Sequence, residues 1–470
     1  MPMPLSATLQ FIGAAQQVTG SCYLIKLNNR QILLDCGMVQ GADQIREWHK
    51  FRFAFKPKDI DLVILSHAHI DHSGLLPLLV ARGFDGKILC TPGTAELLPV
   101  LLKDSVHLYL KDLEWQNKKA ARAGKKLQDP VLSVADAERV VQLCDTVAYK
   151  KRVTPLPGLE LEFADAGHIL GSAIVQLWLK GSQAMRKLVF SGDLGNPATV
   201  LMYDPTDIGQ ADIVLMESTY GNRNHQNIDN SLDEMAQALE QANKDGGNVF
   251  IPAFALGRSQ EILYYLALLH HQGRLKQRMV FLDSPMAISI TNIYNDYLHC
   301  LDQKDLAAIG FKKGMQLQDL LPMLRLTESV EESMAINRVS GGAIIIAGSG
   351  MCNGGRIVHH FKHSLWKNSN HLIFVGFQAY GTLGRRLVDG ERRVKLFGQE
   401  IVVKAKVHTI GGFSAHAGQS ELLDWAQAIG GKPAFYLVHG EPEAQQALQQ
   451  ELAQLGIQAQ IPAKGDVISL

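Results

Sequence analysis

A chain of 470 residues exceeds what one hydrophobic core usually organises, so two domains are expected. Its 46% hydrophobic and 20% charged content exclude a disordered chain, and 46 Lys and Arg against 46 Asp and Glu mean that bulk charge does not advertise a nucleic acid; any such site must be a local basic groove. No run approaches the roughly 20 apolar residues that span a bilayer, and residues 1–26 lack a basic segment followed by an apolar one, so a cytoplasmic protein without a membrane partner is expected.

Residues 5–35 alternate apolar and polar, with strands predicted over 8–12, 22–27 and 31–35 around the turn residues Gly20 and Asn28-Asn29. The pattern then reads strand at 61–65, helix at 73–82, strand at 87–90 and a helix from about 94 into the 120s. Strands at 153–156, 159–163, 173–179, 187–191 and 213–217, with few helices among them, suggest a second sheet packed on the first. From about 220 to 390 the buried-type runs at 249–252, 279–283, 343–348 and 371–376 alternate with helical segments at 231–244, 258–272 and 354–365, the grammar of a parallel, doubly wound domain. Strand alternation returns over 394–410, followed by a helix at 419–429 and a strand at 434–438. The six cysteines form no Cys-x-x-Cys pair and read as free thiols. The basic stretch Lys118 to Lys126 is read as a solvated helix face or an RNA contact.

The chemistry concentrates in Ser66-His67-Ala68-His69-Ile70-Asp71-His72-Ser73-Gly74, directly after a buried strand. Alternating His67 and His69 can aim two nitrogens at one point, while Asp71 and His72, entering the next helix, face a second point beside it. Two metals are the reading; the bland alternative is a cluster of surface histidines. His168 lies between two strands, flanked by glycines, and Asp193 follows a strand, where a carboxylate can offer one oxygen to each of two ions. His439 ends a strand run and can complete the second metal. His416 and Ser414 share a Gly-flanked loop before a helix, with the Ser414 hydroxyl a candidate anion contact. Taken singly, each of these is more often a turn residue; together with the His-rich motif they read as ligands. Asp35 and Glu217 are acids at strand ends that need partners. In the inserted region, Phe254 to Ser259, Gly348 to Arg356 and Gly381 to Arg386 each combine Gly with Arg at a strand-to-helix loop, which makes Arg258, Ser349, Arg356, Arg385 and Arg386 candidate phosphate contacts.

His67-Ala-His69-Ile-Asp71-His72 with Asp35, His168 and Asp193 resembles the motif set of the metallo-β-lactamase fold, and Glu217, His416 and His439 match the three further motifs of its β-CASP branch, a nucleic-acid-processing group. The resemblance runs from Gly13 to Glu441. It implies an α/β architecture, a metallo-β-lactamase αββα sandwich (residues 1–219 and, after the return, 391–470) with an inserted doubly wound parallel β-CASP domain over 220–390. It implies one metal held by His67, His69 and His168, another by Asp71, His72 and His439, Asp193 bridging and Asp35 supporting. It further implies Glu217 with His416 as the acid group beside the scissile phosphate and Ser414 as a phosphate contact. Members acting on DNA tend to carry an apolar residue at the place of His439, so RNA is favoured.

The expected activity is therefore hydrolysis of phosphodiester bonds in single-stranded RNA by a metal-activated water, with Asp71, Asp193, Glu217 and His416 as the catalytic set and two zinc ions, for which manganese is the substitute allowed by ligand type. Ser414, Ser349, Arg258 and Arg356 are the expected RNA contacts, the strand entering between the two domains. A homodimer is compatible with the sequence. The alternatives are a metallo-hydrolase of a small ester or thioester and a non-catalytic RNA-binding subunit.

Overall fold

The computed structural model describes residues 7–39, 48–180, 185–197, 199–376 and 378–470. The chain divides into two compact units: Met1–Pro197 with Asp204–Asn224 and His416–Leu470, and Ala198–Tyr203 with His225–Ala415.

The first unit is built on two seven-stranded sheets. One holds β1 (Ala7–Gly13), β2 (Cys22–Leu27), β3 (Arg30–Leu34), β4 (Leu62–Ile64), β5 (Lys87–Cys90) and β6 (Cys144–Thr146) in sequence order, with Val467–Ser469 added beside β1. The first three strands run antiparallel, and β3 to β6 run parallel. The other holds β7 (Val153–Leu156), β8 (Leu159–Asp165), β9 (Ala173–Lys180), β10 (Met185–Phe190) and β11 (Ile213–Glu217), beyond which Ala434–Val438 pairs parallel to β11 and is followed by Ala459–Gln460. Alternation explains the packing: Leu9 and Phe11 of β1 and Leu159, Leu161 and Phe163 of β8 turn every second side chain into one shared core, where the Tyr23 and Phe190 rings meet edge to face at 5.3 Å. Truncating either ring there would cost about 3–5 kcal/mol. On the outer face of the second sheet, Val214, Met216 and Leu437 bury against Leu422 and Trp425 of the helix Gln419–Ala428 and Leu448 of the helix Pro442–Gln454.

The helix predicted at 73–82 arrives as two pieces, Ile70–Ser73 and Leu76–Ala81. Pro77 lacks an N–H and sits in the first turn of the second piece, where that loss is harmless. The helix Pro92–Arg122 starts two residues before the predicted 94 because Thr91 caps it by accepting from the Thr94 N–H. At its far end Lys118 pairs with Glu114 and Lys119 lies 3.4 Å over the Trp115 ring.

The second unit is a six-stranded parallel sheet in the order Leu324–Leu326, Met279–Leu282, Ala343–Ala347, Val249–Pro252, His371–Val375, Lys406–Ile410. The run 394–410, read as the return to the first domain, stays in this unit: Arg393–Leu396 and Gln399–Val402 form a hairpin, and Lys406–Ile410 pairs with His371–Val375. The unit thus ends at Ala415, beyond the boundary of 390 expected from the strand-and-helix pattern. Strand alternation alone does not say which sheet a strand joins. Among the described residues, no helix is long and apolar enough to cross a membrane, and all six cysteines are free.

Candidate metal centre

The sequence order of the first unit brings the His-rich loop to the carboxyl ends of β3 and β4. Backbone bonds fix it there: Ser21 N–H donates to Asp71 O and Cys36 N–H to His72 O, both at 2.8 Å. The contact is so close that a Cβ on Gly37 would lie 1.6 Å from the Asp71 carbonyl oxygen, so only glycine fits. Asp35 and His439, both at strand ends, adopt left-handed backbone (φ 58° and 51°), an uncommon conformation for non-glycine residues that turns each side chain out of its strand direction.

Two donor sets result. His67 Nε2, His69 Nδ1, His168 Nε2 and Asp193 Oδ2 converge: His69 Nδ1 stands 3.1 Å from His67 Nε2 and 3.2 Å from His168 Nε2, and Asp193 Oδ2 lies 3.5 and 3.7 Å from the same two Nε2 atoms. His72, His439 and Asp71 converge beside them, with His72 Nε2 3.1 Å from His439 Nε2 and Asp71 Oδ2 3.7 Å from His439 Nε2. Asp193 Oδ1 reaches into this second set at 3.2 Å from His72 Nε2. Donors bound tetrahedrally at about 2.0–2.1 Å stand about 3.3 Å apart, the separation these nitrogens and oxygens show. Asp193 Oδ1 is buried without a hydrogen-bond partner, a costly state for a carboxylate that a cation relieves. The residues fit two divalent cations.

Protonation agrees with that role at His67, His69, Asp71 and Asp193, whereas His72 must give up a proton to bind a cation. Burial holds His67 well below the usual imidazole range and brings His69 down to about 4, so both present lone pairs. Burial opposes charge on Asp71 and Asp193; His439 leads the groups that overcome it, holding Asp71 at about 2 and Asp193 well below its ordinary value. Burial also opposes charge on His72, and Asp193 and Asp35 overcome it, raising the ring well above its ordinary value.

A second layer orients the donors. Asp35, fully buried, accepts from His72 Nδ1 at 2.7 Å, from the Ser66 N–H at 2.8 Å and from the Ser66 and Ser21 hydroxyls at 2.9 and 3.0 Å. That leaves Nε2 of His72 as its metal-facing atom. Thr219 Oγ1 lies 3.1 Å from His439 Nδ1 and donates to the His439 carbonyl. Sequence reasoning missed Ser21, Ser66 and Thr219; their adjacency to Asp35's sheet, His67 and Glu217 was the available signal. Glu217 is buried, accepts from the Leu194 N–H at 2.6 Å and stands 3.3 Å from His416 Nδ1. Burial lowers the pKa of His416, and the Glu217 charge outweighs it, raising the ring to about 9.

All the predicted metal ligands, with Asp35, Glu217 and His416, therefore meet in the first unit. Ser414, Ser349, Arg258 and Arg356 belong to the second. Ser414 O accepts from Thr199 Oγ1 at 3.1 Å, and Ser349 Oγ donates to Gly354 O at 3.3 Å. Arg258 pairs with the buried Glu261 at 2.6 Å. Arg356 donates through Nη1 to Asp283 at 2.7 Å and Thr327 O at 2.9 Å, and through Nη2 to Glu328 O at 2.6 Å, so its terminal donors are engaged within the second unit. Arg385 and Arg386 pair with Asp389 and Glu391.

The metallo-beta-lactamase superfamily model matches residues 16–158, the Beta-Casp domain model residues 259–387, and the model of the Zn-dependent metallo-hydrolase RNA specificity domain residues 400–462. "Ribonuclease TTHA0252" of Thermus thermophilus is 39% identical over 455 residues, covering 97% of this chain and 98% of the relative. The chain belongs to the β-CASP family of metallo-β-lactamase-fold proteins. Other β-CASP relatives include an "RNase J-like protein" of Methanocaldococcus jannaschii, 30% identical over 441 residues and 92% of each chain, and the "Transcription termination factor FttA" of Methanosarcina mazei, 31% identical over 448 residues, 92% of this chain and 67% of the relative. A crystal structure of a protein of unknown function from Enterococcus faecalis superposes with a TM-score of 0.54 at 12% identity, over 99% of this chain and 100% of that one, a likeness of fold.

Proposed function

We propose that the chain is a zinc-dependent ribonuclease of the cytoplasm that hydrolyses phosphodiester bonds of single-stranded RNA. The observation that carries this reading is the pair of adjacent donor sets with Asp193 reaching from one to the other, 3.2 Å from His72 Nε2, an arrangement suited to in-line displacement at phosphorus. The names of two relatives, a ribonuclease and an RNase J-like protein, support RNA as the substrate. Histidine-rich sets with few oxygens favour zinc, and manganese accepts the same ligand types.

His67, His69 and His168 would hold one cation, Asp71, His72 and His439 the other, with Asp193 shared between them. When bound, the two cations lower the pKa of a water toward neutrality and polarise a phosphate oxygen. The chain's own residues supply the rest. Asp35 fixes the His72 ring, and Glu217 both orients His416 and keeps it protonated at neutral pH, so that His416 can give its proton to the leaving oxygen. Ser414, Ser349 and Arg258 serve as phosphate contacts, with Arg356, engaged by Asp283, as a further candidate.

The test is cleavage of matched 5′-labelled single-stranded RNA and DNA with zinc or manganese, beside Asp71→Ala. RNA-selective cleavage lost in the variant supports the reading. Two bound metals per chain with no cleavage of either strand would transfer it to a small ester or thioester.

A further inference from the structure

Ahead of β4 the chain reads Lys50-Phe-Arg52-Phe-Ala-Phe-Lys56-Pro-Lys58, three phenylalanines interleaved with four cations, with Ala54 and Pro57 interrupting the alternation. Phe51, Phe53 and Phe55 are half-buried and pack on one another in series, ring centroids 5.0 and 5.1 Å apart, while Arg52, Lys56 and Lys58 are exposed. Ring packing explains the phenylalanines. It does not explain the cations.

The cations converge with one from elsewhere. Arg82, at the end of the helix Leu76–Ala81, donates through Nη1 to Phe51 O at 2.9 Å, and Arg52 donates through Nη1 to the same oxygen at 2.8 Å. Two guanidiniums thus hang on one carbonyl. Among the described residues, none of Arg52, Lys56, Lys58 and Arg82 has a carboxylate partner, in a chain whose other arginines are mostly ion-paired. After burial, the charge of Arg52 is what lowers the pKa of Arg82, the mark of positive charge left uncompensated. Arg52, Phe53, Phe55, Lys56, Lys58 and Arg82 line one pocket of about 340 Å³. It lies before β4 and β5 in the chain, at the opposite ends of these strands from the metal ligands that follow β4.

Guanidiniums without an acid partner bind phosphate, and aromatic rings beside them stack on bases through their faces, the combination used for single strands. We propose that this pocket is an accessory site for a stretch of single-stranded RNA away from the scissile bond, a phosphate held between Arg52 and Arg82 and a base laid on the Phe53 and Phe55 side. The identity of the ligand as RNA rests on the ribonuclease reading. The site lengthens the footprint of the substrate and favours long strands over short ones.

The experiment measures binding of a 4-nucleotide and a 20-nucleotide unstructured RNA by fluorescence anisotropy over a range of salt, with the full chain carrying Asp71→Ala so that neither is cut. Adding R52E and K56E, both at exposed positions, should weaken the 20-mer about tenfold and reduce the steepness of its salt dependence by about one phosphate contact or more, while the ratio of 20-mer to 4-mer affinity falls. The uncharged pair R52Q/K56Q should show the same change at smaller size. An unchanged 20-mer affinity, or an equal loss for both lengths, overturns the proposal. Cleavage of the 4-mer by the unsubstituted protein tests the ribonuclease reading separately, since it does not depend on the pocket.

Discussion

His72 and Asp35 are joined by a 2.7 Å hydrogen bond in which both side chains are buried, and the bond decides which nitrogen of His72 faces the metal centre. Asp35→Asn keeps the shape but can present its amide N–H₂ to Nδ1 and reverse the tautomer, so zinc affinity is expected to fall 10- to 100-fold. Competition with a chelating dye measures it. An affinity within twofold of the unsubstituted protein would remove Asp35 from the site.

Asp193 belongs to the His67, His69 and His168 set through Oδ2 and reaches the other through Oδ1, 3.2 Å from His72 Nε2. Asp193→Ala should reduce bound metal from two equivalents to one or none and abolish measurable RNA cleavage. Elemental analysis of the purified variant beside a cleavage assay distinguishes this from loss of activity with both metals retained, which would place Asp193 outside the ligand set.

His416 is raised to about 9 chiefly by Glu217, against burial. The sign follows: the ring holds its proton below that value and loses it above, so an acid role predicts a rate that falls on the alkaline side. Glu217→Gln removes the charge, and the alkaline limb of kcat/KM should move to lower pH. His416→Ala should slow cleavage by about 10²–10⁴ with metal content intact. An alkaline limb that stays in place in Glu217→Gln would deny the pair this function.

Asp283, at the end of Met279–Leu282, is fully buried and accepts from Arg356, His360, Thr327 and Ser333. Burial opposes its charge, but these partners hold its pKa at about 2. A carboxyl lowered from about 3.9 in the unfolded chain contributes stability above that pH and loses it as the pH falls toward 2. Asp283→Ala leaves Arg356 without its ion partner and should destabilise the second unit by about 3–5 kcal/mol. Hydrogen exchange of Ala343–Ala347, the strand beside it, reports the change, which should vanish at low pH if the charge is the source.

Gly37→Ala needs no chemistry to fail. Its Cβ would occupy the space of the Asp71 carbonyl, and the backbone that carries Asp71 and His72 must shift, so one metal equivalent should be lost while the far-ultraviolet circular dichroism is retained. A variant with both metals would show that the loop can move without loss of ligation.

The His-rich motif was legible because four donors in six positions serve no packing purpose, and the strand at 434–438 because its apolar run is long and bounded. The break of the helix at Gly74 was not, since periodicity reports a face and not the point where hydrogen bonding stops. The same blindness placed the end of the second unit at 390: residues 406–410 alternate as an edge strand of either sheet would. Gly and Arg at a strand-to-helix loop can face a ligand or an internal acid, and the pairing of Arg356 with Asp283, far away in sequence, could not be read from that pattern. Ser21 and Thr219 were invisible for a related reason, as a hydroxyl acquires a role only from what the fold sets beside it.

The pairing of β11 with Ala434–Val438 delays the site in time as well as in sequence. A ribosome must finish the whole second unit and continue through His439 before the second donor set can close. Until then the emerging chain carries Asp71 and His72 without their third partner. If cleavage needs both donor sets, a nuclease assembled in this order gains its activity only at the end of its own synthesis, and a product cut short inside the second unit would lack His416 and His439.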